Sequence, residues 1–137
     1  SPMTVELGGD LVQTLVFDLP TCSHLEGSTS FRQFWRGADH RFVLLVEMIG
    51  TFPTVDQVGT WTAEDGVRVK LQEEAGGSGY YFTSDAADPD LALVIDGFDI
   101  DEDHVWGTFS VGALSSDTHG SITLSPQPLV LWCSDYN

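Results

Sequence analysis

The sequence predicts an all-β domain, most simply a two-sheet antiparallel sandwich, with a closed β-barrel as the alternative. Three observations carry this. Short apolar segments are separated by clusters of Gly, Pro, Asp and Ser, several of them alternate with the two-residue period of a half-buried strand, and almost none has helical period. Many short strands joined by tight turns favour a sandwich or barrel. The chain has 137 residues, 42% of them hydrophobic, enough for one core. No linker, repeat or low-complexity tract divides it, so one domain over residues 1–137 is expected. Ser1-Pro2-Met3 reads as vector-derived, with any export signal already trimmed away.

Taken in order, strands are predicted at Val5–Leu7 and Leu11–Asp18. Leu19-Pro20-Thr21-Cys22 resembles a lipoprotein cleavage box. It lacks an upstream basic segment, has Asp10 and Asp18 in its apolar stretch, and is rejected as a lipidation site. Phe31–Arg36 is the one predicted helix, of one or two turns. Ser28-Thr29-Ser30 would cap it, Gly37 would end it, and Phe31, Phe34 and Trp35 would form its apolar face. Arg41–Ile49 is apolar on both faces and reads as a central strand covered twice; Leu91–Ile95 reads likewise. A sandwich buries one face of each sheet, so the second face of Arg41–Ile49 needs either the Phe31–Trp35 segment or another chain. Local covering ranks a monomer ahead of a homodimer.

Val67–Glu73 is the clearest strand, with Val67, Val69 and Leu71 alternating with Arg68, Lys70 and Gln72. In His104–Leu114, Val105, Phe109 and Val111 share one face, with Gly107 between them, while Trp106, Thr108 and Ser110 share the other. Val58–Ala63, Tyr80–Thr83, Ser121–Leu124 and Leu129–Ser134 complete the strands. Turns fall at Gly8-Gly9, Glu64-Asp65-Gly66, Gly76–Gly79, Asp101–Asp103 and Ser115–Gly120.

Lys and Arg total 5 against 21 Asp and Glu, a formal charge of −16. Nucleic acid and anionic membrane are excluded as expected partners, because phosphate binding needs clustered cations. No apolar run approaches the ~20 residues of a membrane-spanning helix. Arg32, Arg36 and Arg41 form a local exception, a candidate patch for an acidic partner or a second copy, although such arginines commonly pair with nearby carboxylates. Cys22 and Cys133 are an even pair without a CxxC motif, and a disulfide between them fits an oxidising compartment. Closing a loop of that length would stabilise the fold by roughly 4–5 kcal/mol on the chain-entropy model.

Three constellations are candidates for chemistry. Asp99, Asp101 and Asp103 alternate as calcium ligands do, although the EF-hand pattern fails at His104 and Ser110 and a solvated turn is the simpler reading. Calcium is the only cofactor that the sequence suggests. Asp85, Asp88 and Asp90 form a second acidic loop. The pairs Asp39-His40, Asp103-His104 and Asp117-Thr118-His119 place a carboxylate by an imidazole, but no HExxH or GxSxG motif accompanies them. The third constellation is aromatic: Trp106, with Thr108 and Ser110 on the wet face of its strand, is the best candidate to stack a sugar ring, although a core position is the simpler reading for it, as it is for Trp35, Trp61 and Trp132.

The run Val105-Trp106-Gly107-Thr108-Phe109-Ser110, followed by His119-Gly120-Ser121-Ile122-Thr123-Leu124, resembles the closing hairpin of small, uncharacterised exported bacterial β-sandwich proteins, often lipoproteins. Pro126-Gln127-Pro128 and Cys133 depart from that pattern. The resemblance covers the last third of the chain. It implies an envelope location and a binding or structural role, and it transfers no functional residues. The expected function is a non-catalytic binding or structural module of the cell envelope or exterior, with a glycan or an envelope protein as partner. A small hydrolase using an Asp–His pair and a lipocalin-like carrier of an apolar ligand are the alternatives.

Overall fold

The computed structural model describes residues 3–17, 21–23, 31–39, 41–48, 58–73, 80–99 and 104–133. In chain order the strands are β1 (Met3–Gly9), β2 (Gln13–Phe17), β3 (Thr21–Ser23), β4 (Phe31–Arg36), β5 (Phe42–Met48), β6 (Gly59–Thr62), β7 (Val67–Glu73), β8 (Tyr81–Ser84), β9 (Ala92–Asp99), β10 (His104–Ser110), β11 (Leu114–Ser116), β12 (Gly120–Ser125) and β13 (Leu129–Cys133). All pairings are antiparallel. Nine strands form one sheet in the order β2-β1-β12-β11-β8-β7-β5-β4-β3, and four form a second in the order β13-β10-β9-β6. The larger sheet curls almost into a barrel. Phe17 at the end of β2 bridges to Gly37 beyond β4, and the Ala38 N–H donates to the Val16 carbonyl at 2.7 Å.

Alternation puts one set of side chains from each strand into a shared core. Val5 and Leu7, Leu15 and Phe17, Val67, Val69 and Leu71, and Ile122 and Leu124 are all buried, and each residue between two of these points away from the core. Phe17, Phe42, Phe82, Phe109, Leu44 and Met48 are the bulky side chains that fill the space between the layers. Among them Trp35 packs on Phe109 with ring centroids 5.3 Å apart.

The predicted helix is a strand. Phe31–Arg36 forms β4 and pairs with β5 over six positions, from Phe31 opposite Met48 to Arg36 opposite Val43. Pairing with a long apolar strand satisfies the backbone of the whole segment, which outweighs a weak local preference for helix. Gly37 therefore serves as a hairpin exit rather than a helix cap, its N–H donating to the Phe42 carbonyl at 2.7 Å. The proposed cap residues 28–30 lie outside the described residues.

β5 is central and buried on both faces, as expected. Its outward residues Val43, Leu45 and Glu47 are only 7%, 3% and 2% exposed within this one chain. Phe34 and Lys70 flank Leu45 in register, and Arg36 and Gln72 flank Val43. No second chain is required to bury them. The reading of Leu91–Ile95 needs correction: Leu91, Leu93 and Ile95 are buried, but Ala92 and Val94 are only half-buried on the outer face of the small sheet. The predicted strand His104–Leu114 divides in two, because Leu114 begins β11 in the other sheet.

Candidate binding face

The outer face of the four-stranded sheet is built by simple alternation. On β10, Val105 and Phe109 enter the core, which leaves Trp106, Thr108 and Ser110 outward. On β13, Leu129 and Leu131 are buried, which leaves Val130 and Trp132 outward. The register then assembles two rows. Trp132, Trp106 and Gly97 lie side by side, and next to them run Val130, Thr108, Val94 and Thr60. None of these side chains carries a charge, on a chain of net charge −16.

Trp106 is 37% exposed and Trp132 43% exposed, with ring centroids 6.4 Å apart and planes inclined by 36°. Two glycines make this arrangement. A Cβ on Gly97 would lie 2.3 Å from Cζ2 of Trp106, so the indole rests directly on the Gly97 backbone. A Cβ on Gly107 would lie 1.8 Å from the Val94 carbonyl oxygen, so only glycine allows β10 this close to β9. The register slips between Trp106 and Gly107, leaving Asp96 as the extra, exposed residue of a β-bulge beside the tryptophan row. The face thus offers two adjacent indole surfaces, threonine hydroxyls that donate and accept, and one carboxylate at its margin.

Sequence reasoning found Trp106, Thr108 and Ser110 but assigned Trp132 to the core. Leu129–Ser134 is apolar at successive positions, which resembles a strand covered twice. The missed signal was cross-strand pairing: Trp106 sits opposite Trp132, so an outward Trp106 fixes an outward Trp132. Trp35 is buried at 2% exposure, as expected, and Trp61 is half-buried against the core.

Asp99 is the last residue of β9, opposite His104, while Asp101 and Asp103 lie outside the described residues. The second acidic loop uses its carboxylates on backbone. Asp88, 9% exposed, accepts from the N–H groups of Asp90 at 2.9 Å and Gly112 at 2.8 Å, and Asp85 accepts from Ala87 at 2.7 Å. No cluster able to hold a metal is found among the described residues. His119 stacks on Tyr80 with centroids 4.0 Å apart, and its Nδ1 is 2.9 Å from the Thr118 hydroxyl. His40 lies outside the described residues, and Asp39 accepts from the Arg41 N–H at 3.0 Å.

Arg32 and Arg36 lie on β4, but the Arg41 guanidinium is over the rings of Phe42 and Tyr80, 4.8 and 5.4 Å from their centroids, at the end of the core. The cysteines occupy edge strands of the two sheets: Cys22 is on β3, in register with Gln33, and Cys133 ends β13, in register with Val105. Between those strands the fully buried Gln33 amide donates to the Trp132 carbonyl at 3.0 Å. No helix among the described residues is long and apolar enough to cross a membrane. Comparison with protein-family models, curated proteins and solved structures returned no match to this chain.

Proposed function

We propose that this protein is an exported, non-catalytic binding module whose small sheet binds a neutral glycan across Trp106 and Trp132. The paired, exposed indoles carry the reading. A sugar ring offers a flat array of C–H bonds to an aromatic face and hydroxyls to its borders; Thr108 and Thr60 lie in the row next to the tryptophans, and Asp96 is the bulge residue beside Gly97. The lack of cations on the face favours a neutral polymer over a phosphate or sulfate chain. The interior favours a surface ligand over the carrier reading, since bulky side chains fill it. Retention on insoluble or gel-embedded neutral polysaccharides tests the proposal. Retention of the native protein that is lost in Trp106→Ala and Trp132→Ala supports it; equal retention of both variants refutes it.

Export rests on the Cys22–Cys133 disulfide, which we propose joins the edges of the two sheets. The reading is supported by the Gln33–Trp132 hydrogen bond, since Cys22 is the register neighbour of one partner and Cys133 the chain neighbour of the other. Two thiols would transfer two electrons and two protons to a small disulfide such as oxidised glutathione, forming one S–S bond and two glutathione thiols. The unreduced protein, isolated from an oxidising compartment, should lack two protons by mass relative to its reduced form. Two titratable thiols in that material would remove the argument for export.

A further inference from the structure

We infer that the small sheet takes a single polysaccharide chain in its solution form, laid across the strands, and that Asp96 selects sugars with free neighbouring hydroxyls. This path, chain form and third contact rest on the neutral-glycan reading of the face. On β9, Leu93 and Ile95 are buried, so alternation turns Val94 and then Asp96 outward. Register nevertheless sets Gly97 opposite the outward Trp106, and resumes with Ile95 opposite Gly107. Asp96 and Gly97 therefore face the same side in succession, as the extra residue of a bulge requires. The Trp106 indole occupies the space where a Gly97 side chain would stand, so it reaches onto β9 next to Asp96.

Three contacts then stand on three adjacent strands: Trp132 on β13, Trp106 on β10 and Asp96 on β9. Two strand spacings, roughly 10 Å, separate the first from the last, more than one sugar ring covers. The line of contacts crosses the strands, and a chain that uses all three crosses them too. The indole planes are inclined by 36° at a centroid separation of 6.4 Å. Consecutive rings resting on them are turned against each other, as in a free chain and unlike the coplanar rings of a crystal face.

Asp96 is exposed, and its carboxylate has no hydrogen-bond or ionic partner among the described residues. A carboxylate accepts hydrogen bonds through two oxygens and donates none. Hydroxyls on neighbouring ring carbons can donate to both oxygens at once, and such charge-assisted bonds are about twice as strong as neutral ones. Esterified sugars lack these donors, and uronic or sulfated sugars bring a like charge beside the carboxylate. Thr108 and Thr60, in the next row, donate as well as accept and distinguish free from esterified sugars less sharply. Discrimination therefore falls to Asp96.

Calorimetric titration with soluble glucan, mannan, xylan and galactan oligomers of two to six sugars tests this. In the series that binds, affinity should rise from the disaccharide to the trisaccharide. Asp96→Ala should weaken the trisaccharide roughly tenfold, the worth of hydrogen bonds to a charged group, and leave the disaccharide unchanged. The native protein should prefer the free trisaccharide to its O-acetylated form, and Asp96→Ala should narrow that preference. Asp96→Asn, which keeps the shape and removes the charge, gives the answer if the alanine variant fails to fold by circular dichroism. An Asp96 variant that is folded and keeps both the trisaccharide affinity and the preference would overturn the role of Asp96. Retention on insoluble polymer without binding of any soluble oligomer would overturn the single-chain form while the neutral-glycan reading stands. No binding to oligomer or polymer removes that reading, and this inference with it.

Discussion

Asp88 and Gly97 show how single side chains set this structure. Asp88 joins the β8–β9 turn to the segment after β10 by accepting from Asp90 and Gly112. Asp88→Ala leaves two backbone donors without their acceptor and should destabilise the protein by about 1–3 kcal/mol, read as a lower urea midpoint at unchanged slope. Gly97 acts on the proposed site. The Cβ of Gly97→Ala would occupy the position of the Trp106 indole and force the ring to a new rotamer, at about 1 kcal/mol. The near-UV circular dichroism of the tryptophans should change while the far-UV spectrum is retained, and retention on neutral glycan should fall. Neither role was visible in the sequence. Asp88 read as one of three loop acids, because sequence does not reveal that Gly112 would arrive 24 positions later with a free N–H. Gly97 is informative only once β9 and β10 are in register.

Strand against strand, the β5–β7 pair makes a sharper test. Glu47 and Lys70 form an ion pair on the outer face, with the Glu47 side chain 3% and the Lys70 side chain 22% exposed. The hydrogen bond and charge of Glu47 raise the Lys70 pKa above its ordinary 10.5, against the lowering effect of burial. A raised lysine pKa contributes stability that is fully present below 10.5 and is lost as pH rises through the higher, folded value. Lys70→Met should cost about 2 kcal/mol at neutral pH, less than a fully buried pair because Lys70 is partly solvated and Arg68 stays nearby. Glu47→Leu with Lys70→Leu should restore most of that loss and flatten the decline of the urea midpoint above pH 10.5. A double variant as unstable as the single one would show that the pair is not the source. β7 was legible from strict alternation, and β5 from its continuous apolar run. β4 and β3 were not. Phe31, Phe34 and Trp35 fit a helical face as well as a strand, and Thr21–Ser23 is three residues with no pattern, forming a strand opposite β4.

For the molecule as a whole, the all-β class and the antiparallel pairing followed from period and turn chemistry. The near closure of the larger sheet fits the barrel alternative, which rested on strands apolar on both faces, while the point of closure, Phe17 meeting Gly37 at the end of a nine-strand curl, was not visible in the sequence. The same holds for the binding face. Trp106 with Thr108 and Ser110 could be read from one strand, but Trp132 required knowing its neighbour. The acids fall largely outside the described strands. The central claim is that the neutral face binds sugar through its two exposed indoles. Tryptophan fluorescence, titrated with neutral oligosaccharides of increasing length, tests it most directly. A saturable blue shift that strengthens with oligosaccharide length, and disappears in a Trp106→Ala, Trp132→Ala protein with an unchanged unfolding midpoint, is the predicted result. An emission spectrum unmoved by every neutral oligosaccharide, in protein shown to be folded, would contradict it.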